Sequence, residues 1–220
     1  MNKFYFLFLE LVVILSFICV PFQLKRGMEV NNLYTYSVFI DPGHGGNDNG
    51  CNYQEIYEDQ LNLSISLSLY EELVNQGIRV YLTRDGDYDL SKENSINHKN
   101  DDLKKRAFLI NSFQVDLVVS IHMNFYQDES VLGPMVYYKE DDESRKIASS
   151  VQLNLNQFTN QDKVAHKEEF YLFTHTNCRA ILVECGFLSN ERERNNLTNS
   201  TYQNLISKEI AKGIINYINN

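Results

Sequence analysis

Short apolar runs alternate along the chain with longer segments in which apolar residues recur at every third or fourth position. Runs of the first kind predict buried strands, and segments of the second kind predict amphipathic helices. Because the two kinds alternate, the chain is predicted to fold as an α/β sheet covered by helices on both faces. The predicted strands are YSVFID (36–41), IRVYLT (78–83), VDLVVSIH (115–122), GPMVYY (133–138) and RAILVECGF (179–187).

The first helical segment covers residues 61–77, and Gly77 is predicted to end it as a C-terminal cap. The second covers residues 101–113, with Asp101 or Asp102 at its start. The predicted apolar face of the first helix is Leu63, Leu67 and either Tyr70 or Leu73. In the later helices, apolar residues spaced by four are Ile147, Val151 and Leu155, and then Ile206, Ile210, Ile214 and Ile218.

The amino terminus has a different pattern. Residues 1–26 contain an early lysine, a long apolar run interrupted by Glu10, and then Lys25 and Arg26. This is typical of a secretory signal peptide or an uncleaved membrane anchor, and the lack of a clear small-x-small cleavage pattern favours the anchor. We therefore expect export, a polar linker at 27–34 and a single domain at 35–220.

Composition and charge limit the classes of partner that we expect the protein to bind. The chain has 220 residues, 43% of them hydrophobic, and a formal net charge of -9. Its one basic cluster, Lys104–Arg106, fits the solvated side of a helix, so nucleic acid is not expected to bind. The cysteines Cys19, Cys51, Cys178 and Cys185 form no C-x-x-C pair, which argues against a structural zinc finger.

The segment FIDPGHGGNDNG (39–50) places a histidine in a glycine-rich loop directly after a strand. Such a loop could cradle a phosphate or bend around a metal ion. It lacks the G-K-[ST] of a P-loop, and no helix is predicted directly after it, so the metal is favoured. His44, His122 and Glu184 all follow or end predicted strands, where sites form in open α/β sheets. Two histidines with carboxylates at one edge fit a catalytic zinc site with an open position for water.

The motifs IDPGHGG, YEDQLNLSIS, LTRDGD, DLVVSIHMN and AILVECGFLSN occur in this order over nearly the whole predicted domain. In this respect the chain resembles the zinc-dependent N-acetylmuramoyl-L-alanine amidases of the amidase-3 type. The segments SIHMN and KNDDLKKRAFLIN most resemble the germination-specific subgroup, which acts on spore cortex peptidoglycan in the pathway to muramic lactam. The resemblance implies a mixed, mostly parallel twisted sheet with helices on both faces, and a location in the spore envelope.

The resemblance also implies the third metal ligand. The family has a glutamate at the start of an E-K-D-x-N-L helix, and the matching residue here is Glu58. Asp59 and Gln60 depart from the family's lysine and aspartate. Glu55, three residues earlier, remains an alternative ligand. His44, Glu58 and His122 are thus expected to bind Zn²⁺.

Glu184 matches the family's catalytic glutamate, which takes a proton from the attacking water and returns it to the leaving amine. Cys185 follows it on the same strand and should point to the opposite face. Asn124 and Arg106 are candidates for substrate contact. The remaining histidines of the chain, interpreted as core or surface residues, are His98, His166 and His175.

Further expectations concern partners and rival functions. Peptidoglycan is the expected substrate, an activating protein partner is possible, and the amino terminus could contact the membrane. A zinc peptidase or deacetylase is the rival among enzymes. An amidase-like binding or activating protein without catalysis is the rival from another class.

Overall fold

The computed structural model describes residues 36–92 and 94–220. The predicted leader (1–26) and linker (27–34) lie outside the described residues. None of the helices in the described part is long and apolar enough to cross a membrane.

Within the described residues, six strands form one sheet in the order β4-β1-β5-β8-β6-β7, and two short strands form a separate hairpin, β2-β3. Strands β4, β1, β5 and β8 are mutually parallel, and β6 pairs antiparallel with β8. The predicted mixed, mostly parallel sheet is therefore confirmed. The strands are β1 (Ser37–Pro42), β2 (Asn52–Tyr53), β3 (Ile56–Tyr57), β4 (Arg79–Leu82), β5 (Leu117–Asn124), β6 (Met135–Tyr138), β7 (His166–Lys167) and β8 (Arg179–Phe187).

Helices cover both faces of this sheet, as predicted. Side chains of α1, α3 and α6 pack on one face with Val38 and Ile40. Side chains of α2 and α4 pack on the other face with Phe39. The helices are α1 (Glu58–Asn75), α2 (His98–Ser112), α3 (Asp142–Thr159), α4 (Tyr171–His175), α5 (Glu191–Leu197) and α6 (Ser200–Ile218).

The predicted apolar face of α1 is only partly confirmed because, of Leu63, Leu67 and Leu73, only Leu73 is buried. Leu67 is 37% exposed. The buried stripe is Leu61, Ile65, Leu69 and Leu73. In LNLSISLSL the apolar residues alternate with polar ones, so two stripes with a spacing of four are available. Packing against the sheet and α6 selects one of them.

The predicted start of α2 is also wrong. The helix begins at His98, and Asn97 caps it by accepting a hydrogen bond from the Asn100 amide. Asp101 and Asp102 lie inside the helix and instead accept hydrogen bonds from the amides of Lys92 and Leu90. An asparagine cap is as favourable as an aspartate cap, so the sequence alone did not discriminate between them.

Candidate active site

His44 lies just beyond the carboxyl end of β1. The Gly43 amide donates to the Ile121 carbonyl of β5 at 3.0 Å, which ties the end of β1 to the next strand. His44 itself has φ = 61°, in the left-handed region that a non-glycine residue seldom occupies. Such a conformation costs about 1–3 kcal/mol, so surrounding contacts must hold it.

Glu58 is the first residue of α1 and is 3% exposed. Its Oε1 atom lies 2.9 Å from Nδ1 of His122 and 3.3 Å from Nε2 of His44. Backbone amides hold the carboxylate from behind, because Met123 donates to Oε1 at 3.1 Å and Cys51 donates to Oε2 at 2.8 Å. The start of a helix also favours a negative charge.

His44, Glu58 and His122 form one compact group. Each offers a ligand atom, and these atoms lie within 4.8 Å of one another. Two imidazole nitrogens and one carboxylate oxygen are a donor set found at catalytic zinc sites, where a fourth position stays open. Nδ1 of His44 lies 2.9 Å from Oδ2 of Asp48, a contact that orients the ring and leaves Nε2 facing Glu58. The group is therefore suited to hold a metal ion.

Two glycines make room for this group. A Cβ atom on Gly43 would lie 2.2 Å from Cε1 of His122, and one on Gly50 would lie 2.4 Å from Oε2 of Glu58. Gly50 also has φ = 68°, which favours glycine. The glycine-rich loop thus serves to bring its backbone close to the two side chains.

Charges within this group shift the pKa values of His44 and Glu58. Burial by itself lowers the pKa of His44, but the hydrogen bonds and charges of Glu58 and Asp48 outweigh it and raise that pKa to about 9. Burial by itself raises the pKa of Glu58, but the two histidines hold it well below its usual range. The Glu58 carboxylate is thus kept ionised, as a metal ligand must be.

Glu184 lies beside this group on β8, opposite His122 of β5 in the sheet register. Its Oε2 atom is buried and has no hydrogen-bond partner among the described residues. Burial raises the pKa of Glu184 to about 7, the charge of His122 opposes this rise, and the charge of Glu58 adds to it. A carboxylate with a pKa near neutrality can both accept and donate a proton.

A cavity of about 230 Å³ opens beside the four side chains. One wall comes from α2 and another from the segment at α4, and the lining is mostly apolar. His44, His122 and Glu184 all face it. The residues that complete its walls include Lys99, Leu103, Phe170, Tyr171 and Phe173.

Arg106 lines this cavity, and its guanidinium group is held by other residues of the protein. It is 1% exposed, and its Nη1 atom lies 2.7 Å from Oδ1 of Asp41, while its Nη2 atom donates to the His44 carbonyl at 2.6 Å. Its Nε atom donates to Asp102 at 2.7 Å. The guanidinium therefore supports the loop that carries His44. Asn124 uses its side-chain oxygen to accept from the Phe125 amide.

The other candidates lie apart from the group. Glu55 is exposed in the turn between β2 and β3, with φ = 65°, and is not one of the three grouped residues. Cys185 is buried among the side chains of the opposite face of the sheet, as its position after Glu184 predicts. Of the remaining histidines, His98 contacts Ser91, and both His166 and His175 are exposed.

Sequence reasoning did not identify three polar residues beside the site. Asp48 orients His44, and the buried Asn62 and Arg84 contact the backbone of the glycine-rich loop. Two of them stand in the motifs YEDQLNLSIS and LTRDGD. Their place in these motifs is a sign that Asn62 and Arg84 matter to the site, but the spacing of the motifs does not show what the side chains contact.

An α/β sheet that brings two histidines and a carboxylate together beside a second, buried carboxylate has the arrangement of a metal-dependent hydrolase. Comparison with known families makes the class specific. Residues 38–216 match the amidase-3 family of N-acetylmuramoyl-L-alanine amidases. The chain belongs to this family and is an enzyme that hydrolyses the amide between N-acetylmuramic acid and L-alanine in peptidoglycan.

Individual relatives agree with this assignment. The chain is 33% identical over 188 residues to the germination-specific N-acetylmuramoyl-L-alanine amidase of Bacillus subtilis, covering 82% of this chain and 78% of that one. Among solved structures, it is similar to the CwlD amidase of Clostridioides difficile in complex with the GerS lipoprotein. That match has a TM-score of 0.80 and 32% identity over 84% of this chain and 98% of that one. The CwlV catalytic domain from Bacillus (Paenibacillus) polymyxa matches with a TM-score of 0.74 and 28% identity, over 84% of this chain and 98% of that one.

Proposed function

We propose that this amidase is zinc-dependent, that His44, Glu58 and His122 hold the ion, and that Glu184 carries the proton of the reaction. The observation that carries the proposal is the convergence of three ligand atoms within 4.8 Å beside Glu184, whose buried Oε2 atom has no hydrogen-bond partner in the described part of the chain. The donor set fits zinc, which accepts two histidines and a glutamate at catalytic sites.

A zinc ion bound there supplies a Lewis acid that polarises the scissile carbonyl and lowers the pKa of water towards about 7. Glu184 accepts a proton from the water as its oxygen attacks the carbonyl carbon. Glu184 then donates that proton to the nitrogen of L-alanine as the C–N bond breaks. The products are a lactyl carboxylate on the sugar and a free amine on the peptide.

Burial raises the pKa of Glu184 above its usual value, which makes this carboxylate a stronger base for the first step. A carboxylate with an ordinary pKa would accept the proton poorly, because the best general bases have a pKa close to the working pH. Asp48 contributes by fixing the ring orientation of His44.

The proposed substrate is spore cortex peptidoglycan, on the basis of the germination-specific relative of Bacillus subtilis. The proposed location is outside the cytoplasmic membrane, in the spore envelope, with residues 1–26 acting as signal or anchor. The pattern of that segment and the cell-wall substrate of the family support the location. Fractionation of cells with a test of protease access would check it, and a domain confined to the cytoplasm would contradict it.

A lipoprotein is the proposed activating partner. Support comes from the similarity of this chain to an amidase whose structure is of a complex with a lipoprotein. The test compares the purified, fully zinc-loaded chain with the same amount of chain in an extract of its own cells. Higher specific activity in the extract is expected. Equal activity would leave no role for a partner.

Product analysis tests the proposed chemistry. The full-length, zinc-loaded chain is incubated with purified cortex peptidoglycan and, in parallel, with vegetative wall, and the fragments are analysed by mass spectrometry. We expect free lactyl groups and peptides that begin at L-alanine, formed faster from cortex and not formed after zinc removal. Fragments cut inside the stem peptide or deacetylated sugars would indicate the rival hydrolases instead.

A further inference from the structure

The carbonyl oxygen of Gly43 is the meeting point of two buried side chains. It accepts a hydrogen bond from Nδ2 of Asn62 at 3.1 Å and another from Nη2 of Arg84 at 2.9 Å. Asn62 is fully buried and Arg84 is 1% exposed. Gly43 directly precedes His44, so both side chains act on the loop that carries this histidine.

Asn62 also contacts the carboxylate of Glu58. Its Nδ2 atom lies 3.3 Å from Oε1 of Glu58, the oxygen that faces both histidines. The other polar atom of its amide, Oδ1, is buried without a partner in the part of the chain that the structure describes. The amide is therefore held through its nitrogen, which links the loop of His44 to the carboxylate of Glu58.

Arg84 makes a parallel link through the backbone. Its Nε atom donates to the Pro42 carbonyl at 3.0 Å, and its Nη2 atom donates to the carbonyl of Asp59 at 2.8 Å. Asp59 directly follows Glu58 on α1. Among the described residues, Arg84 has no carboxylate within ion-pair distance, so its buried charge is stabilised by backbone carbonyl oxygens. A buried cation is costly without such contacts, so these hydrogen bonds fix the position of the guanidinium group.

The contacts of Asn62 and Arg84 with Gly43 lie next to a residue with an unfavourable backbone conformation. His44 is in the left-handed region, and its ring must stay 3.3 Å from Glu58. Without the contacts to Gly43, this segment is free to relax to a more common conformation, which would move the imidazole away from the carboxylate.

We infer that Asn62 and Arg84 are positioning residues that hold His44 and Glu58 at metal-binding separation and thereby set the affinity of the site for zinc. The inference rests on the proposed zinc site. Neither residue is a metal ligand or a catalytic residue. Their effect is expected on the zinc dissociation constant, which does not depend on substrate.

The test measures zinc dissociation constants by chelator competition for the full-length chain and for the variants Asn62→Ala and Arg84→Lys. Outer contacts of this kind typically change metal affinity by about 10- to 100-fold, and a loss in this range is expected for both variants. Arg84→Lys keeps the charge but cannot reach all the carbonyls, and it provides the comparison if Asn62→Ala does not fold.

Gln152→Ala is the matched control. Gln152 is also a buried helical amide, and it donates to the Pro134 carbonyl and accepts from the Val136 amide, away from the ligand segments. The Gln152→Ala substitution should lower the stability of the metal-free chain and leave its zinc affinity unchanged. The inference is overturned if the two test variants lose stability as the control does and bind zinc like the wild type. Absence of zinc binding by the wild type would instead refute the proposed function.

Discussion

His122 of β5 and Glu184 of β8 lie opposite each other in the register of two adjacent parallel strands. Their side chains share the face of the sheet on which α2 and α4 pack, because both alternate with residues buried on the other face. This placement sets a proposed metal ligand beside a proposed proton carrier without any contribution from a flexible loop. Sites on strands hold their geometry better than sites on loops.

Removal of any of the three proposed ligands should abolish stoichiometric zinc binding. His44→Ala, Glu58→Ala and His122→Ala each leave two donors, which is too few for the tetrahedral site. Metal content of the purified full-length variants measures the effect. The matched control is Glu55→Ala, which removes an exposed carboxylate near Glu58 in sequence. It should keep full zinc content, and zinc loss in this variant with retention in Glu58→Ala would make Glu55 the ligand.

Gly43→Ala should weaken zinc binding although it alters no ligand. The added Cβ would lie 2.2 Å from Cε1 of His122, so the ring or the loop has to move. Gly86→Ala is a suitable control, because its Cβ would meet the Tyr88 ring at 3.2 Å, away from the metal group. Chelator competition measures both variants. Equal zinc affinity in the two would show that the close approach at Gly43 is unimportant.

The buried pair of Asp41 and Arg106 should make stability depend on pH. Burial by itself raises the pKa of Asp41, but the charge of Arg106 and the hydrogen bonds from Thr83 and Ser120 outweigh it and lower that pKa. A lowered folded-state pKa contributes stability that is fully present above the unfolded value of about 3.9. That contribution is lost as the pH falls from there through the folded-state pKa.

Asp41→Asn tests this dependence. Breaking a buried pair costs about 3–5 kcal/mol, so the variant should be less stable by this order at neutral pH. The difference from the wild type should shrink as the pH falls below about 4. Urea unfolding of both chains, freed of metal with a chelator, provides the measurement. A difference that stays constant over this range would show that Asp41 is not the titrating group.

Much of the sheet could be predicted because buried strands have an unambiguous pattern. Residues 179–187 were predicted as a strand and form β8 over that same range. The strand ends also indicated that His44, His122 and Glu184 would meet, because the carboxyl ends of parallel strands share one edge. By contrast, β2 and β3 have two residues each, too few for any periodicity.

The contacts that surround the site could not be predicted from the sequence. Asn62, Arg84 and Arg106 contact backbone carbonyls of a loop that is distant in sequence, and carbonyls carry no sequence signal. Arg106, a candidate for substrate contact from the sequence, is 1% exposed. Its burial depends on Asp41, 65 positions away, which becomes a neighbour only in the folded sheet.

The most direct test measures zinc content and turnover on the same preparation of Glu184→Gln. This variant keeps the size of the side chain and removes the base, while His44, Glu58 and His122 are unchanged. We predict zinc content equal to that of the wild type, with hydrolysis of peptidoglycan reduced by about 10²–10⁴-fold. Loss of zinc would make Glu184 a ligand, and retained zinc with near-normal turnover would place the base elsewhere. Either result would contradict the proposed division between metal binding and proton transfer.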